Sequence, residues 1–310
     1  ALIALRRGCK RCIMVGDPCQ LPATIFSDKA KRARYDRSLF ERLLASGHPY
    51  LLLDTQYRMS PQISAFPSKT FYDGKLKNGE SVCGAKYIPK YINNSILKNN
   101  DGQDIQHPVL QSLMFFDVAS AESKGSISRS NMLEVRMCLK LVKLIVSEAF
   151  RTNAGILGSI GIITPYTEQL TELRRAFQDS GYSSGAELSY LVRGEPQLLQ
   201  QQQQSCLLDI ELNTVDGFQG REKDIIVISC VRANDEGSIG FLSDKRIMNV
   251  ALTRAKYGLF VVGNASTLRG NDTWGNFIAH AEEKEVLYSV DSERNFVSQL
   301  ASLQIDRNGR

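Results

Sequence analysis

The chain has 310 residues, of which 43% are hydrophobic and 23% are charged, a balance typical of a globular protein with a sizeable core. No apolar run approaches the ~20 residues that span a bilayer, so no membrane association is expected. The net charge of +5 permits a polyanionic partner without requiring one.

The cysteine content indicates a reducing compartment. The seven cysteines are an odd number, and Cys12, Cys138 and Cys230 lie in apolar segments. This distribution favours reduced thiols over a disulfide framework and predicts a nuclear or cytoplasmic protein. Cys9 and Cys12 form one C-x-x-C, but no second pair follows, so ordinary buried thiols are favoured over zinc or redox chemistry.

Short apolar segments, each followed by polar or turn residues, predict the parallel strands of an α/β sheet. Ligands of such sheets bind at the carboxyl ends of the strands, so the residues after each segment are the first candidates for chemistry. In chain order the segments are residues 12–15, 50–53, 160–163, 225–230 and 259–262.

The segments between these strands predict helices. Ser60 followed by Pro61 is an N-cap with proline at the first helical position. From Asn131 an apolar face continues over several turns, and a shorter helix with the same pattern follows Pro165.

Two polar stretches do not fit the sheet. Residues 92–111 are rich in Asn, Asp and Gln, and residues 183–205 end in a run of glutamines. Both are interpreted as surface insertions, and the second is expected to be disordered.

Two segments in the first fifth of the chain contain candidate chemistry. Asp17 follows a predicted strand, where an Asp often holds Mg²⁺ or its water, and Gln20 is placed to sense a terminal phosphate. The alternative is a Gly-Asp-Pro turn that ends the strand for steric reasons. Further on, Tyr57 is suited to stacking on a base and Arg58 to reaching a phosphate, although such a pair is more often a packed ring beside a solvated charge.

Two later segments raise the same question. In residues 213–224, two glycines flank Phe-Gln, and a cluster of positive and negative side chains follows. The glycines would let the backbone approach a ligand closely, but the same pattern is also typical of a simple turn with charged, solvated side chains. If residues 247–254 are helical, Arg254 shares an apolar stripe with Val250 and needs an anion. An internal carboxylate and a phosphate are equally plausible partners from this segment alone.

In this order, the segments resemble the superfamily 1 helicases of the nonsense-mediated-decay helicase type and, within them, the senataxin branch. The resemblance covers nearly the whole chain except the two insertions. It rests on Gly16-Asp17-Pro18-x-Gln20-Leu21-Pro22-x-Thr24, Gln56-Tyr57-Arg58-Met59-x-Pro61, Val215 to Asp224, Val231-Arg232-Ala233-Asn234, Gly237-Ser238-Ile239-Gly240-Phe241-Leu242, Asn249-x-x-Leu252-Thr253-Arg254-Ala255-Lys256 and Thr273-Trp274.

The resemblance implies an ATP-dependent helicase that moves 5′ to 3′ on single-stranded RNA or DNA. Its motor has two RecA-like domains of the P-loop NTPase type, each an α/β parallel sheet with helices on both faces, and ATP and Mg²⁺ lie between them. The site residues carried over by analogy fall into three groups. They are Asp17, Gln20, Arg58 and Arg254 as catalytic residues, Tyr57, Gly220 and Glu222 at the nucleotide, and Thr24, Thr164, Pro165, Tyr166, Thr214, Val215 and Asp216 at the nucleic acid, with no metal ligand assigned.

The resemblance also divides the chain. Residues 1–54 are expected to be the C-terminal remnant of the first RecA-like domain, and residues 55–310 the second, with the insertions near 92–111 and 183–205. The sequence contains no Gly-x-x-x-x-Gly-Lys-Ser/Thr loop and no Asp-Glu pair after a strand. The main ATP and Mg²⁺ ligands are therefore expected outside this chain, which alone should be inactive. A nucleic-acid-binding scaffold without hydrolysis is the alternative, and neither RNA-versus-DNA preference nor protein partners can be read from these motifs.

Overall fold

The computed structural model describes residues 8, 10–25, 27–84, 87–89, 92, 96–98, 104–106, 110–125, 128–151, 158–181, 188–189 and 207–290. In chain order the strands of these residues are β1 (Thr55–Gln56), β2 (Lys77–Asn78), β3 (Ile96–Lys98), β4 (Asp104–Gln106), β5 (Leu113–Val118), β6 (Ser123–Lys124), β7 (Arg129–Ser130), β8 (Ser159–Thr164), β9 (Leu188–Ser189), β10 (Leu207–Thr214), β11 (Lys223–Ser229), β12 (Ala255–Gly263) and β13 (Leu287–Val290). Seven of them form one sheet, in the order β13-β5-β12-β11-β8-β10-β9.

The sheet is parallel except at one edge. Strands β13, β5, β12, β11, β8 and β10 pair in parallel, and only the short β9 pairs antiparallel with β10. Strands β8, β11 and β12 contain three of the predicted segments. The α/β parallel-sheet prediction is therefore confirmed.

The helices that surround the sheet begin and end close to the predicted signals. Pro61 starts one helix, Met132 follows Asn131 at the start of another, and Thr167 starts a third after Pro165. In chain order the helices are α1 (Asp28–Arg32), α2 (Leu39–Ala45), α3 (Pro61–Phe71), α4 (Glu80–Cys83), α5 (Met132–Arg151), α6 (Thr167–Asp179), α7 (Lys245–Leu252), α8 (Ala265–Leu268) and α9 (Asp272–Glu283).

Helices pack on both faces of the sheet. Successive residues of a strand point to opposite faces, so Phe115 and Phe116 of β5 mark the two sides. Phe115 contacts Phe277 of α9 at 6.3 Å between ring centroids, and Phe277 contacts Phe66 of α3 at 4.9 Å. Phe116 contacts Phe260 instead, while α5 and α6 pack together over β8, β10, β11 and β12.

Two predicted strands are wrong. Residues 12–15 and 50–53 form no strand, and their apolar side chains are open to solvent, with Ile13 92%, Val15 90% and Leu51 87% exposed. A strand needs a neighbour that pairs with its backbone groups. In the part of the chain that the structure describes, neither segment has such a neighbour.

The two insertions are more structured than expected where they are described. Residues 92–111 contain the hairpin of β3 and β4, and Ile92 and Leu110 at its two ends are fully buried. In residues 183–205, β9 adds an edge to the sheet. The expected disorder of the glutamine run falls outside the described residues.

Candidate functional site

Arg254 is a buried cation at the amino end of β12. The helical interpretation of this residue is wrong, because α7 ends at Leu252 and Arg254 lies in the turn before the strand. Its side chain is nevertheless only 2% exposed. The guanidinium donates to oxygen acceptors, namely Val250 O at 2.9 Å, Thr253 Oγ1 at 2.9 Å, Arg221 O at 3.4 Å and Gln20 Oε1 at 3.5 Å.

No carboxylate of the described residues forms an ion pair with Arg254, although Asp17 and Glu222 attract it from a longer distance. Among the described residues, no Asp or Glu oxygen lies within the 4.0 Å of an ion pair with this guanidinium. Burial, and then repulsion by Arg58, lower the pKa of Arg254 to about 10. A buried cation with only dipolar partners is unfavourable until an anion joins it. The internal-carboxylate interpretation is therefore not supported here, and the site is suited to an anionic ligand.

Arg58 lies beside this site in a different electrostatic setting. Its Nε donates to Glu222 Oε2 at 2.6 Å, and its Nη1 donates to Thr253 O at 3.0 Å. The ion pair with Glu222 lowers the pKa of that carboxyl, and Lys256 adds a second cation at 3.3 Å. Arg58 and Glu222 are each about a third to two fifths exposed, so the pair is open to solvent and to a ligand.

Asp17 and Gln20 approach Arg254 from the start of the chain. Asp17 accepts hydrogen bonds from Cys19 N at 2.9 Å, Gln20 Nε2 at 3.0 Å and Tyr72 Oη at 2.7 Å. Since both of its oxygens are engaged by these donors, Asp17 acts here as an anchor for the loop rather than as an open metal ligand. Gln20 is held by Asp17 through its amide nitrogen, which leaves its oxygen towards Arg254.

Tyr57 presents one face of its ring to solvent. The side chain is 67% exposed, and the other face lies against Gly79, where an added Cβ would meet Tyr57 Cε1 at 2.2 Å. Gly79 is placed by a short parallel pair of β1 and β2, with its N–H donating to Gln56 O at 2.9 Å. A mostly exposed ring packed against a glycine is suited to stacking on a planar ligand.

A second group of candidate residues lies at the carboxyl ends of β8 and β10, on the side of the sheet opposite to Arg254; this side is called the carboxyl edge below. Thr164 and Thr214 are partners across β8 and β10, and Val215 N donates to Thr164 O at 3.2 Å. The side chains of Thr164, Tyr166 and Val215 are buried, whereas Asp216 is exposed. The solvent-accessible residues at this carboxyl edge are therefore Asp216, which is exposed, and Pro165 and Thr214, which are half-buried.

The structure thus divides the predicted residues between the two ends of the parallel strands. In the first group, hydrogen bonds connect Asp17, Gln20, Arg58, Glu222 and Arg254 at the amino ends of β11 and β12. Ligands of parallel-sheet proteins usually bind at the other end, beside the carboxyl ends of the strands. Tyr57 is next to Arg58 in sequence, and Gly220, with a φ of +80, lies next to Arg221, whose carbonyl accepts from Arg254. Thr24 is exposed, and no hydrogen bond of the described residues links it to either group.

Several residues of the first site were not predicted. Lys256 and Asn249 belong to the same motif as Arg254, and the charge of Lys256 and the amide of Asn249 so close to Arg254 are the sequence signals that indicate their place in this site. Gly79 and Tyr72 belong to no quoted motif. Their place depends on tertiary contacts with Tyr57 and Asp17, and no spacing in the sequence reveals it.

Neither a metal centre nor a membrane span is found in the described segments. They contain no group of three or more His, Cys, Asp or Glu side chains placed to hold a metal ion, and no helix long and apolar enough to cross a membrane. Cys138 and Cys230 are buried free thiols and Cys12 is an exposed one. Cys9, the other half of the C-x-x-C, lies outside the described residues.

Comparisons with known proteins match nearly the whole chain. A family model described as an AAA domain matches residues 35–266, and a second model with the same description matches residues 1–28. "Helicase SEN1" of Saccharomyces cerevisiae is 39% identical over 93% of this chain and 11% of its own length. "Helicase sen1" of Schizosaccharomyces pombe is 37% identical over 96% of this chain and 16% of its own. A "Regulator of nonsense transcripts 1 homolog" of Arabidopsis thaliana is 38% identical over 92% of this chain and 20% of its own, so the chain spans a fifth or less of these relatives.

Proposed function

The chain belongs to the superfamily 1 helicases of the senataxin and nonsense-mediated-decay type, and we propose that it is part of an ATP-driven motor that moves along single-stranded RNA or DNA. The observation that carries this proposal is Arg254, a buried guanidinium without a carboxylate partner among the described residues. Arg58 lies beside it and shares contacts with Thr253. Two cations that converge on one point are suited to a terminal phosphate.

The residues present fit a nucleoside triphosphate. Tyr57 offers the exposed face of its ring to the base, and Gly79 supports the other face. Arg58 and Arg254 bind the γ-phosphate and stabilise the charge that develops during its transfer. Gln20, oriented by Asp17, is placed to position the attacking water. Mg²⁺ would lower the negative charge of the phosphates when bound, and the described residues contain no group of three or more His, Cys, Asp or Glu side chains placed to hold it.

Glu222 sets the position of Arg58. Its carboxylate binds Arg58 Nε and Lys256 Nζ, so it holds the guanidinium in place before the nucleotide arrives. Preorganisation of this kind removes the need to reorient a charge during the reaction. Gly220 and Glu222 thereby line the nucleotide side of the segment that leads into β11.

The carboxyl edge of the sheet supports the nucleic-acid role. Pro165, Thr214 and Asp216 are the partly or fully exposed residues here, and the main chains of Thr164 and Val215 are joined by a hydrogen bond. The Thr214 hydroxyl is suited to the sugar-phosphate backbone of a single strand, whereas the Asp216 carboxylate is suited to hydrogen-bond donors of sugar or base and not to a phosphate. The side chains of Thr164, Tyr166 and Val215 are buried, so these residues take part only through neighbouring exposed atoms, whereas the exposed Thr24 is proposed as a strand contact from the resemblance alone.

The proposed motor has two RecA-like domains. Residues 1–54 belong to the first and residues 55–310 to the second. The exposed apolar side chains of Ile13, Val15 and Leu51 support this division, since strands of a parallel sheet bury such residues on both faces. We place the protein in the nucleus or cytoplasm, in keeping with its free thiols.

The rival function is a scaffold that binds nucleic acid without hydrolysing ATP. Such a scaffold has no chemical need for a buried, unneutralised Arg254, which disfavours the folded state. Retention of Gln20, Arg58 and Glu222 around it is likewise unexplained by binding to a strand at the opposite edge. The arrangement therefore favours a hydrolytic site.

The test uses the protein that contains this chain together with its phosphate-binding loop. Hydrolysis of ATP is measured without nucleic acid, with single-stranded RNA and with single-stranded DNA. We expect hydrolysis that rises several-fold on addition of at least one of the two strands. Strand binding without ATP hydrolysis would support the scaffold instead.

A further inference from the structure

A group of hydrogen bonds joins the loop of Asp17 to the carboxyl end of α3 and to α7. Tyr72, at the carboxyl end of α3, donates its hydroxyl proton to Asp17 Oδ2 at 2.7 Å. Tyr72 Oη itself accepts a hydrogen bond from Asn249 Nδ2 of α7 at 2.9 Å, and Asn249 Nδ2 also donates to Cys19 O at 2.9 Å. Cys19 Sγ in turn donates to Phe71 O at 3.2 Å.

These bonds determine how the Gln20 amide is oriented. The carboxylate of Asp17 accepts from Tyr72 Oη and from Gln20 Nε2, so it joins the two side chains. With its nitrogen bound to Asp17, Gln20 turns its oxygen towards Arg254 Nη2 at 3.5 Å. The order of contact is therefore Tyr72, Asp17, Gln20 and Arg254.

The chemistry of Tyr72 fits a fixed donor. Its hydroxyl has one proton, which goes to the carboxylate, while Asn249 occupies the acceptor side and so prevents the opposite orientation. Burial raises the pKa of this phenol further above its ordinary value, so the proton stays in place throughout the physiological range. A hydrogen bond to a charged acceptor is also among the stronger kinds.

We propose that Tyr72 is a positioning residue for ATP hydrolysis, which holds Gln20 beside Arg254 by anchoring Asp17 to the end of α3. This inference rests on the proposed function. Because α3 begins three residues after Arg58, the helix connects that cation near its start with the Gln20 loop at its end. Loss of the hydroxyl should disorder the water-positioning amide and leave the phosphate and base contacts intact.

The experiment replaces Tyr72 by Phe in the intact protein, which keeps the ring and removes the hydroxyl. We expect kcat for ATP hydrolysis to fall about tenfold, the scale of one hydrogen bond to a charged group, with KM for ATP and strand affinity within twofold of the parent. Tyr288→Phe is the matched control. It removes a buried hydroxyl that accepts from Gln111 Nε2 at 2.8 Å on the outermost strand β13, and it should leave kcat unchanged.

A double-mutant cycle separates positioning from general stability. If Tyr72 acts through Gln20, Tyr72→Phe should have little further effect on kcat in a Gln20→Ala background. An equal loss in both backgrounds, or a folded Tyr72→Phe protein with kcat within twofold of the parent, would overturn the inference. A parent protein that hydrolyses no ATP would instead contradict the proposed function, so the two failures are distinguishable.

Discussion

Replacement of Arg254 by Ala tests the charge balance of the site most directly. In the intact protein we expect Arg254→Ala to lower ATP hydrolysis by ~10³ or more, because an arginine that stabilises a transferred phosphoryl group contributes on this scale. Arg254→Lys should also be inactive, since an ammonium does not reproduce the forked geometry of a guanidinium. Strand affinity should be retained, because the proposed strand contacts lie at the other edge of the sheet.

The same substitution has a calculable effect on stability. Burial and Arg58 lower the pKa of Arg254 to about 10. At about 1.4 kcal/mol for each tenfold change in an acid equilibrium, the charged form is disfavoured in the folded state by roughly 3 kcal/mol. Removal of the cation relieves this penalty and loses hydrogen bonds to neutral acceptors such as Val250 O, each worth roughly 1 kcal/mol. The two contributions are of opposite sign and similar size, so the charge and its hydrogen bonds together should change the free energy of unfolding little, apart from the packing lost with the buried side chain.

An arginine that pairs with a buried carboxylate would behave differently. Its removal would leave an uncompensated charge, with a loss of roughly 3–5 kcal/mol in the free energy of unfolding. Melting temperature, strand affinity and ATP hydrolysis measured on one Arg254→Ala sample separate the two cases. A folded variant that hydrolyses ATP within threefold of the parent would refute the role of Arg254, and a variant that unfolds would refute the charge argument.

Three further outcomes follow from other parts of the structure. Gly79→Ala should displace the Tyr57 ring and raise KM for ATP about three- to tenfold, the scale of one aromatic stacking contact. Gly84→Ala, where an added Cβ meets nothing within 4 Å, is the control and should leave KM unchanged. Equal KM values for the two variants would argue against stacking. Burial raises the pKa of Glu134 to about 8, so the folded state keeps a proton that the unfolded state loses, and the free energy of unfolding from urea titrations should fall as the pH rises from about 5 to about 8. Glu134→Gln should flatten that slope, and an unchanged slope would contradict the raised pKa. The purified 310-residue chain should show no ATP turnover stimulated by nucleic acid, because its sequence lacks the phosphate-binding loop.

The sequence predicted the strands that are buried on both faces and failed for residues 12–15 and 50–53, which pair with no strand in the described part of the chain. Residues 160–163 and 259–262 are apolar, and the strands that contain them lie inside the sheet, where each has a partner on both sides. Residues 12–15 have the same composition but remain exposed and irregular in the described structure. An apolar pattern indicates that a segment is suited to burial, but the segment forms a strand only where a neighbouring strand pairs with its backbone.

The candidate site was predictable to the extent that its residues are adjacent in the chain. Arg58 and Arg254 belong to continuous motifs, and both were identified, although the helical argument for Arg254 was wrong. Tyr72 and Gly79 act through residues that are distant in sequence, as the 55 positions between Asp17 and Tyr72 illustrate. Such contacts depend on how α3 packs, which local pattern does not specify.

The two proposed sites are joined by one short segment of backbone. Thr214 ends β10 at the carboxyl edge and Lys223 begins β11 at the amino edge, so residues 215–222 cross the sheet between the strand contacts and the nucleotide contacts. At its middle, Phe218 is fully buried against β8, where an added Cβ at Gly161 would meet the Phe218 ring at 2.8 Å. Because Phe218 fixes the midpoint of this segment, we expect any coupling between the proposed strand contacts at Thr214 and the proposed nucleotide contacts at Glu222 to depend on how Phe218 is packed.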